Sequence, residues 1–241
     1  MIINTKIFAH RGFSGKYPEN TMLAFTKAVE TGCYGIELDV QLTKDGELVI
    51  IHDESVKRTT GAKGYVRDYT LEQIKDLNAS GKWGDQFGKT EIPTLDEYCR
   101  LIAGTSMITN IELKNSIFPY PGMEEKVWGM IQKYHLEDRV LISSFNHYSL
   151  LKFKELAGDI PCGILEESIV VDEAQYADRL GMQFLHPSHP AVTEAYVEKA
   201  REYGLGINTW TVNDKELMKK LIKLGVHGII TNYPDAAVKL L

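Results

Sequence analysis

Apolar and polar side chains alternate along two runs within residues 35–53, GIELDVQLTKDGELVIIHD, and the dipeptide Asp45-Gly46 separates the runs. Such alternation is typical of β-strands with one buried face, and Asp-Gly between two strands predicts a tight hairpin. A two-residue loop at Asp45 and Gly46 would place Asp39 opposite His52. One face would then carry the polar side chains of Glu37, Asp39, Gln41 and His52. The other face would carry Ile36, Leu38, Val40, Leu42, Val49 and Ile51.

This polar face has two interpretations. An ordinary half-buried hairpin would expose the face to solvent, and the alternation by itself is compatible with that. A functional site is favoured by the composition of the face, which is acidic plus one imidazole and lacks the Lys, Thr and Ser of solvated strands. The second interpretation depends on the loop, because a three-residue loop would place His52 opposite Leu38.

Beyond the hairpin, short strands alternate with helices. We expect Asn20 to cap the first helix and Thr94 to cap the helix that runs to Ile102, with Glu97 at capping-box spacing. Eight βα units in 241 residues predict an α/β protein with a closed (β/α)8 (TIM) barrel. A doubly wound open sheet is the alternative, but no glycine-rich dinucleotide fingerprint follows the first strand. The predicted barrel strands begin at Lys6, Gly35, Met107, Val140, Cys162, Gln183, Gly206 and Gly228.

Residues 53–93 depart from this alternation. They are rich in Gly, Lys, Asp and Thr and contain one helix-like piece near Leu71 to Leu77. We therefore expect a single domain over residues 1–241, in which residues 53–93 are an inserted cap over the C-terminal face of the barrel rather than a linker. The side chains predicted to form a satellite core in the cap are Tyr65, Tyr69, Leu71, Leu77, Trp83 and Phe87.

The composition limits the partners and the compartment. A formal charge of −6 argues against nucleic acid or an anionic membrane as the main partner. Cys33, Cys99 and Cys162 are odd in number and lack metal-ligand spacing, so we expect small core residues in a reducing compartment. Residues 1–10 lack the features of a signal peptide and no apolar run reaches transmembrane length, so the expected location is cytoplasmic, without a stable membrane anchor. Homo-oligomerisation stays open.

Polar side chains collect where the predicted strands end, which is where barrels of this kind carry their catalytic groups. His10 and Arg11 end the first strand, and alternation places Asn110, Glu112 and Lys114 on one face of the third barrel strand. Later strands end with Ser143, Ser144 and Phe145, and with Asn208 and Trp210.

Three carboxylates at one barrel mouth would repel one another unless a cation lay between them. Oxygen ligands from Glu37, Asp39 and Glu112, without cysteine, favour one divalent Mg²⁺ or Ca²⁺ over structural zinc. Nothing in the sequence ranks these two ions.

Cations and imidazoles beside the carboxylates favour a phosphate ester as the substrate. Arg11 and Lys114 suit an anionic group such as phosphate, and His10 and His52 could transfer protons on opposite sides of the phosphorus. Each piece also has an ordinary explanation, such as a strand-end ion pair for Glu112 and Lys114. Because every piece falls at the same end of its strand, the pattern predicts metal-assisted hydrolysis of a phosphoester. The histidines interpreted as structural are His135, His147, His186, His189 and His227, of which His186 also ends a strand.

At these residues the chain closely resembles the glycerophosphodiester phosphodiesterase family, in its bacterial cytosolic type. The resemblance spans nearly the whole chain in order, with no departure at a motif position. The matching stretches are HRG (10–12), PENT (18–21), ELDV (37–40), TKDG (43–46), HD (52–53), RTTG (58–61), IPTLDE (92–97), NIELK (110–114), SSF (143–145) and GIITN (228–232).

The resemblance implies a distorted TIM barrel that hydrolyses deacylated phospholipids, which are small molecules, to glycerol 3-phosphate and an alcohol. It implies acid–base catalysis by His10 and His52. The metal would lie on Glu37, Asp39 and Glu112. Arg11 and Lys114 would hold the phosphate, and Phe145 and Trp210 would line the glycerol or leaving-group side. The head group, and whether a cyclic phosphate forms, stay open.

Two other functions are alternatives. A lysophospholipase D-like enzyme acting on acylated lipids would share the fold and should show an anchor or an exposed apolar rim; Trp83 and Phe87 leave a rim open. A non-catalytic barrel that binds phosphate esters should have lost an acid–base histidine or a metal carboxylate, and none is missing.

Overall fold

The protein folds as a closed barrel of parallel strands. Its structure is a computed structural model that describes residues 5–241; residues 1–4, on which the signal-peptide expectation partly rests, lie outside the described residues. The strands are β1 (Lys6–His10), β2 (Gly35–Leu42), β3 (Leu48–Ile50), β4 (Ile108–Leu113), β5 (Val140–Ser144), β6 (Cys162–Glu166), β7 (Phe184–Pro187), β8 (Gly206–Thr209) and β9 (Gly228–Thr231). All except β3 are parallel, and β1 pairs with both β2 and β9, which closes the ring. The predicted (β/α)8 barrel is confirmed and the open sheet is excluded.

Helices connect the strands around the outside of the barrel. They are α1 (Met22–Val29), α2 (Lys57–Thr60), α3 (Leu71–Lys75), α4 (Leu95–Ala103), α5 (Met123–Lys133), α6 (His147–Leu156), α7 (Glu173–Arg179), α8 (Glu194–Glu202), α9 (Lys215–Leu224) and α10 (Pro234–Val238). The capping box of Thr94 and Glu97 at the start of α4 is confirmed. The expected cap of α1 is wrong by one residue, because the Thr21 hydroxyl accepts the Ala24 amide hydrogen there. Asn20 instead has a positive φ of 54°, which frees its side chain for the site described below.

The predicted loop of the central hairpin is also wrong. Thr43 and Glu47 close a three-residue loop, in which the Gly46 amide donates to the Thr43 carbonyl oxygen (3.0 Å). Gly46 has a φ of 83° and Asp45 has no positive φ, which is the geometry of a type I turn followed by a glycine bulge. Both this loop and a two-residue loop favour Asp-Gly, so the dipeptide alone could not decide between them.

The longer loop shifts the pairing of β2 and β3 by one residue. Val40 pairs with Ile50, and Leu42 pairs with Leu48. A one-residue shift moves each side chain of the return strand to the opposite face. Leu48 and Ile50 therefore belong to the main core, whereas Val49 and Ile51, which were expected beside Val40 and Leu42, pack under residues 53–93.

Residues 53–93 have a small core of their own. It is mostly aliphatic, and Tyr69, Leu71 and Leu77 pack against it as expected. Trp83 contacts Phe87 and Phe87 contacts Tyr17, so these rings lie outside this core (centroids 5.6 Å and 5.4 Å apart). Tyr65 packs on Phe118 instead (5.3 Å). The residues that form the small core are Val49, Ile51, Val56, Val66, Ile74, Ala79 and Ile92.

The cysteines and the apolar character of the helices were two further expectations from composition. Cys33, Cys99 and Cys162 are buried and free, as expected of core residues. Within residues 5–241, no helix combines the length and the apolar character needed to cross a membrane.

Candidate active site

Three buried carboxylates meet at the carboxyl ends of neighbouring strands. Glu37 and Asp39 are two residues apart on β2, so they share a face, and Glu112 on β4 is the lateral partner of Asp39. One oxygen of each carboxylate lies within 4.8 Å of the others. The parallel register of β2 and β4 thus builds the trio that the sequence predicted.

The charges of this trio are not balanced by the protein alone. Burial, and then repulsion by neighbouring carboxylates, raises the pKa of Glu37 well above its ordinary value. Burial likewise raises the pKa of Glu112. For Asp39 burial is the largest single influence on the pKa and acts in the same direction. The Arg11 guanidinium, together with His52, Lys114 and the Asn20 hydrogen bond, outweighs it and holds the pKa of Asp39 below its usual range.

The trio fits a hard divalent cation. Oδ1 of Asp39 is buried and has no hydrogen-bond partner within residues 5–241, although the Asn20 amide donates to Oδ2 of the same carboxylate (2.8 Å). An unpartnered buried oxygen is costly unless something binds it. Oxygen-only donor sets are the kind that Mg²⁺ and Ca²⁺ prefer.

His10 lies at the end of β1, on one side of the trio. Its Nδ1 donates to Oδ1 of Asn232 (2.6 Å), an oxygen that also accepts the Ser14 hydroxyl (2.9 Å). Because that oxygen can only accept, the proton of the ring lies on Nδ1, and Nε2 is directed toward Glu37 (4.0 Å from Oε2). Burial and the adjacent Arg11 lower the pKa of His10 to about 3.

His52 lies on the other side of the cavity despite the wrong register. β3 ends at Ile50, whose successor Ile51 donates to the Asp39 carbonyl oxygen (2.9 Å), and the chain then bends at residues 52–54. This bend, rather than strand alternation, turns His52 inward. Its Nδ1 donates to Oδ1 of Asp53 (2.7 Å), and its Nε2 accepts from Nζ of Lys114 (3.3 Å).

Two cationic side chains flank the carboxylates. Nη1 of Arg11 donates to Glu19 (2.8 Å), and Nε of Arg11 lies 3.4 Å from Oδ2 of Asp39. Nζ of Lys114 donates to Oε1 of Glu112 (2.9 Å). Pairing with Glu112 and Asp39 outweighs burial and raises the pKa of Lys114, so this amine is charged.

A cavity of about 320 Å³ opens at this end of the barrel. Phe145 and Trp210 form one wall, with their rings edge to face at 5.8 Å. Asp39 is fully buried behind the lining side chains. The other residues predicted to be catalytic, metal-binding or substrate-binding all line the cavity. The complete lining is His10, Arg11, Glu37, His52, Asn110, Glu112, Lys114, Ser143, Phe145, Leu165, Glu167, Trp210 and Ile230. A larger surface depression of about 780 Å³ lies over α7 and contains none of the predicted site residues.

His186, the histidine interpreted as structural that also ends a strand, is buried in the barrel. Its Nε2 accepts from the Asn208 amide (3.1 Å), and Oδ1 of Asn208 accepts from Nδ1 of His227 (2.8 Å). Burial, then the neighbouring His227, lowers the pKa of His186 to about 3. It is neutral and away from the carboxylates, in keeping with a structural role.

Sequence reasoning assigned no role at the site to five residues whose side chains contact its members. Glu19 and Asn20 follow β1 and contact Arg11 and Asp39. Asp53 follows His52 directly. The motif stretches PENT, HD, RTTG and GIITN contained the signal, but the contacts depend on the folded chain. The five residues are Glu19, Asn20, Asp53, Arg58 and Asn232.

Comparisons with known proteins agree with this geometry. The family model described as "Glycerophosphoryl diester phosphodiesterase family" matches residues 10–236. A glycerophosphodiester phosphodiesterase of Caldanaerobacter subterraneus is 47% identical over 238 residues, which cover 99% of this chain and 98% of that one. One of Bacillus altitudinis is 46% identical, with 98% of each chain covered. A solved structure of an Oleispira antarctica phosphodiesterase with its product sn-glycerol-3-phosphate has a TM-score of 0.87 and 30% identity, and covers 98% of this chain and 96% of that one.

Proposed function

The chain belongs to the glycerophosphoryl diester phosphodiesterase family, and we propose that its 320 Å³ cavity is where a glycerophosphodiester is hydrolysed to glycerol 3-phosphate and an alcohol. The observation that carries the proposal is the placement of two histidines, two cations and three carboxylates around one small cavity. The product bound in the Oleispira antarctica relative supports a small phosphate ester as the ligand.

Glu37, Asp39 and Glu112 would hold one divalent cation, Mg²⁺ or Ca²⁺. When bound, the ion would polarise a phosphoryl oxygen and help to activate the oxygen nucleophile that attacks phosphorus. The unpartnered Oδ1 of Asp39 and the raised pKa values of the two glutamates support this assignment.

His10 and His52 would transfer the protons. Each ring is held at Nδ1, by Asn232 and Asp53 respectively, so each presents Nε2 as the working atom. One Nε2 would accept the proton of the attacking hydroxyl or water, and the other would deliver a proton to the oxygen that leaves phosphorus. The net reaction adds one water across one P–O bond.

Arg11 and Lys114 would bind the phosphate, and Phe145 and Trp210 would line the glycerol or leaving-group side. Arg11 offers a planar fork and Lys114 a point charge, which together suit a tetrahedral anion. We also propose that residues 53–93 form a cap within the same domain and that the protein works in the cytoplasm, where three free buried cysteines are expected.

The first test is release of glycerol 3-phosphate from glycerophosphocholine, measured with EDTA and then with Mg²⁺ or Ca²⁺ restored. We expect release that EDTA abolishes and one of the ions recovers. Release that persists in EDTA would contradict the metal assignment. No release from the choline, ethanolamine or inositol diesters would contradict the substrate class.

A second candidate substrate is an acylated lysophospholipid. Phe145, which lines the cavity, is 37% exposed, and further apolar side chains are exposed on the segments that follow β5 and β6, at Tyr148 in α6 (85%) and Val171 before α7 (86%). Such a rim suits an acyl chain. Release of lysophosphatidic acid from lysophosphatidylcholine, at a rate above that with glycerophosphocholine, would favour this candidate.

A further inference from the structure

Arg58 joins two carboxylates, each of which holds a residue of the proposed active site. Its guanidinium makes four hydrogen bonds of 2.6–2.9 Å, two with Asp53 and two with Glu19. We propose that Arg58 is a positioning residue that orients His52 through Asp53 and Arg11 through Glu19. This inference rests on the proposed function, which assigns proton transfer to His52 and phosphate binding to Arg11.

The first branch fixes the His52 ring. Nε and Nη2 of Arg58 donate to Oδ2 and Oδ1 of Asp53 (2.6 and 2.9 Å), a bidentate pair with defined geometry. Oδ1 of Asp53 also accepts Nδ1 of His52 (2.7 Å). Because a carboxylate only accepts, it selects the tautomer with hydrogen on Nδ1 and leaves Nε2 of His52 facing the cavity.

The second branch fixes the Arg11 side chain. Nη1 and Nη2 of Arg58 donate to Oε2 and Oε1 of Glu19 (2.7 and 2.8 Å), and Oε1 of Glu19 accepts from Nη1 of Arg11 (2.8 Å). Arg58 and Arg11 thus share one carboxylate. Without Arg58, Glu19 would be free to turn both oxygens toward Arg11 and to withdraw donors from the phosphate.

Arg58 is suited to this role and remote from the reacting atoms. It lies in α2, a single helical turn that ends at Gly61 with a φ of 75°, so its backbone position is set locally. Only a planar guanidinium can bind two carboxylates in this forked manner, and an ammonium cannot reproduce it. Arg58 is not among the side chains that line the 320 Å³ cavity within residues 5–241. Residues 53–93 therefore contribute to the chemistry without touching the substrate.

The test compares Arg58→Gln with a matched variant of the same segment, Arg67→Gln. Arg67 stacks on the Phe118 ring (3.6 Å to the centroid) and is not joined to the site. We expect Arg58→Gln to lower kcat for glycerophosphocholine about 10–100-fold, the range typical of groups that orient a working ligand. Arg67→Gln should change kcat less than about twofold, since isolated surface substitutions have small effects.

Two further comparisons separate positioning from simple loss of stability. If Arg58 acts largely through Asp53, then Arg58→Gln combined with Asp53→Asn should lower kcat little more than Asp53→Asn alone. Guanidinium ion added to Arg58→Ala should recover part of the lost kcat. The substitution Arg58→Lys should not preserve kcat. The proposal is overturned if Arg58→Gln keeps kcat within twofold of the parent. It is also overturned if the loss of kcat accompanies a fall in Tm and guanidinium does not restore kcat in Arg58→Ala.

A readout independent of turnover distinguishes this proposal from the proposed function. The ¹⁵N chemical shifts of the His52 ring, in the full chain, should show hydrogen on Nδ1 in the parent and a mixture of tautomers in Arg58→Gln. Unchanged shifts in the variant would overturn the positioning role even in an active enzyme. A shifted tautomer in a protein that does not hydrolyse any glycerophosphodiester would support the positioning role and reject the proposed substrate.

Discussion

The barrel contains two clusters of buried polar side chains that differ in charge. The charged cluster, at the carboxyl ends of β1, β2 and β4, consists of Arg11, Glu37, Asp39, Glu112 and Lys114. The neutral cluster consists of His186 on β7, Asn208 on β8 and the half-buried His227 just before β9. Both were visible in the sequence as polar residues on buried strands, yet only the charged cluster borders the cavity.

The difference shows what distinguishes a site from a polar packing layer. The neutral cluster forms a chain of hydrogen bonds between uncharged groups, in which Nδ1 of His186 lacks a partner within residues 5–241. An uncharged group costs far less free energy to bury than an ion. In the charged cluster, carboxylates raise one another's pKa values, and Oδ1 of Asp39 lacks a partner within residues 5–241. Burying a charge costs free energy that only a partner or a ligand offsets. The cluster whose buried charges are not fully compensated is the one fitted for binding.

The largest effect should come from the histidines beside the charged cluster. His10→Gln and His52→Gln should each lower kcat for glycerophosphocholine about 10²–10⁴-fold, because each removes a proton-transfer group. Metal affinity, measured by calorimetry, should stay unchanged in His52→Gln. His227→Gln, in the neutral cluster, is the matched control and should keep nearly full kcat. Near-parental activity in His52→Gln would refute its assignment.

A smaller effect should follow from removing one charge of the trio. Glu112→Gln keeps the shape of the side chain but weakens an oxygen ligand, so the calorimetric affinity for Mg²⁺ or Ca²⁺ should fall by about tenfold or more. Glu167→Gln is a suitable control because Glu167 lines the same cavity outside the trio. Equal affinities in the parent and Glu112→Gln would remove Glu112 from the ligand set.

A third effect concerns stability rather than activity, and arises in the neutral cluster. Folded His186 has a pKa of about 3, against 6.5 in an unfolded chain, so the unfolded state binds more protons below pH 6.5. The free energy of unfolding should therefore fall as the pH drops from 6.5 toward 3, and this residue should contribute a loss of about 2 kcal/mol by pH 5.

Urea denaturation of the parent and His186→Gln at pH 7 and pH 5 measures this contribution. The variant lacks the titrating group, so its stability should decline less between the two pH values by about that amount. Parallel declines in the two proteins would show that His186 does not titrate as proposed.

The sequence predicted the barrel from its succession of strands and helices, and most of the site residues from the ends of those strands. Parallel strands bring their carboxyl ends to one edge, so His10, Glu37 and Glu112 could be grouped before any contact was known. Alternation on β2 and β4 placed Glu37, Asp39 and Glu112 on the faces that meet. The register that sets Asp39 beside Glu112 is a property of the folded barrel.

The hairpin shows where local patterns are insufficient. Asp45-Gly46 suits both a two-residue and a three-residue loop. The three-residue loop of the structure places Val49 and Ile51 in the small core of residues 53–93. His52 reached the cavity through a bend that no periodicity describes. Contacts with Arg58 and Asn232 could not be predicted either, since they join segments far apart in the chain.

The link between His10 and Asn232 spans 222 positions of sequence. It depends on the pairing of β1 with β9, so it forms only when the first and last strands of the barrel meet. During synthesis on the ribosome, a chain that has not yet released its final strand cannot orient His10. On the role proposed for His10, a chain whose last strand has not yet joined the barrel should not hydrolyse glycerophosphodiesters.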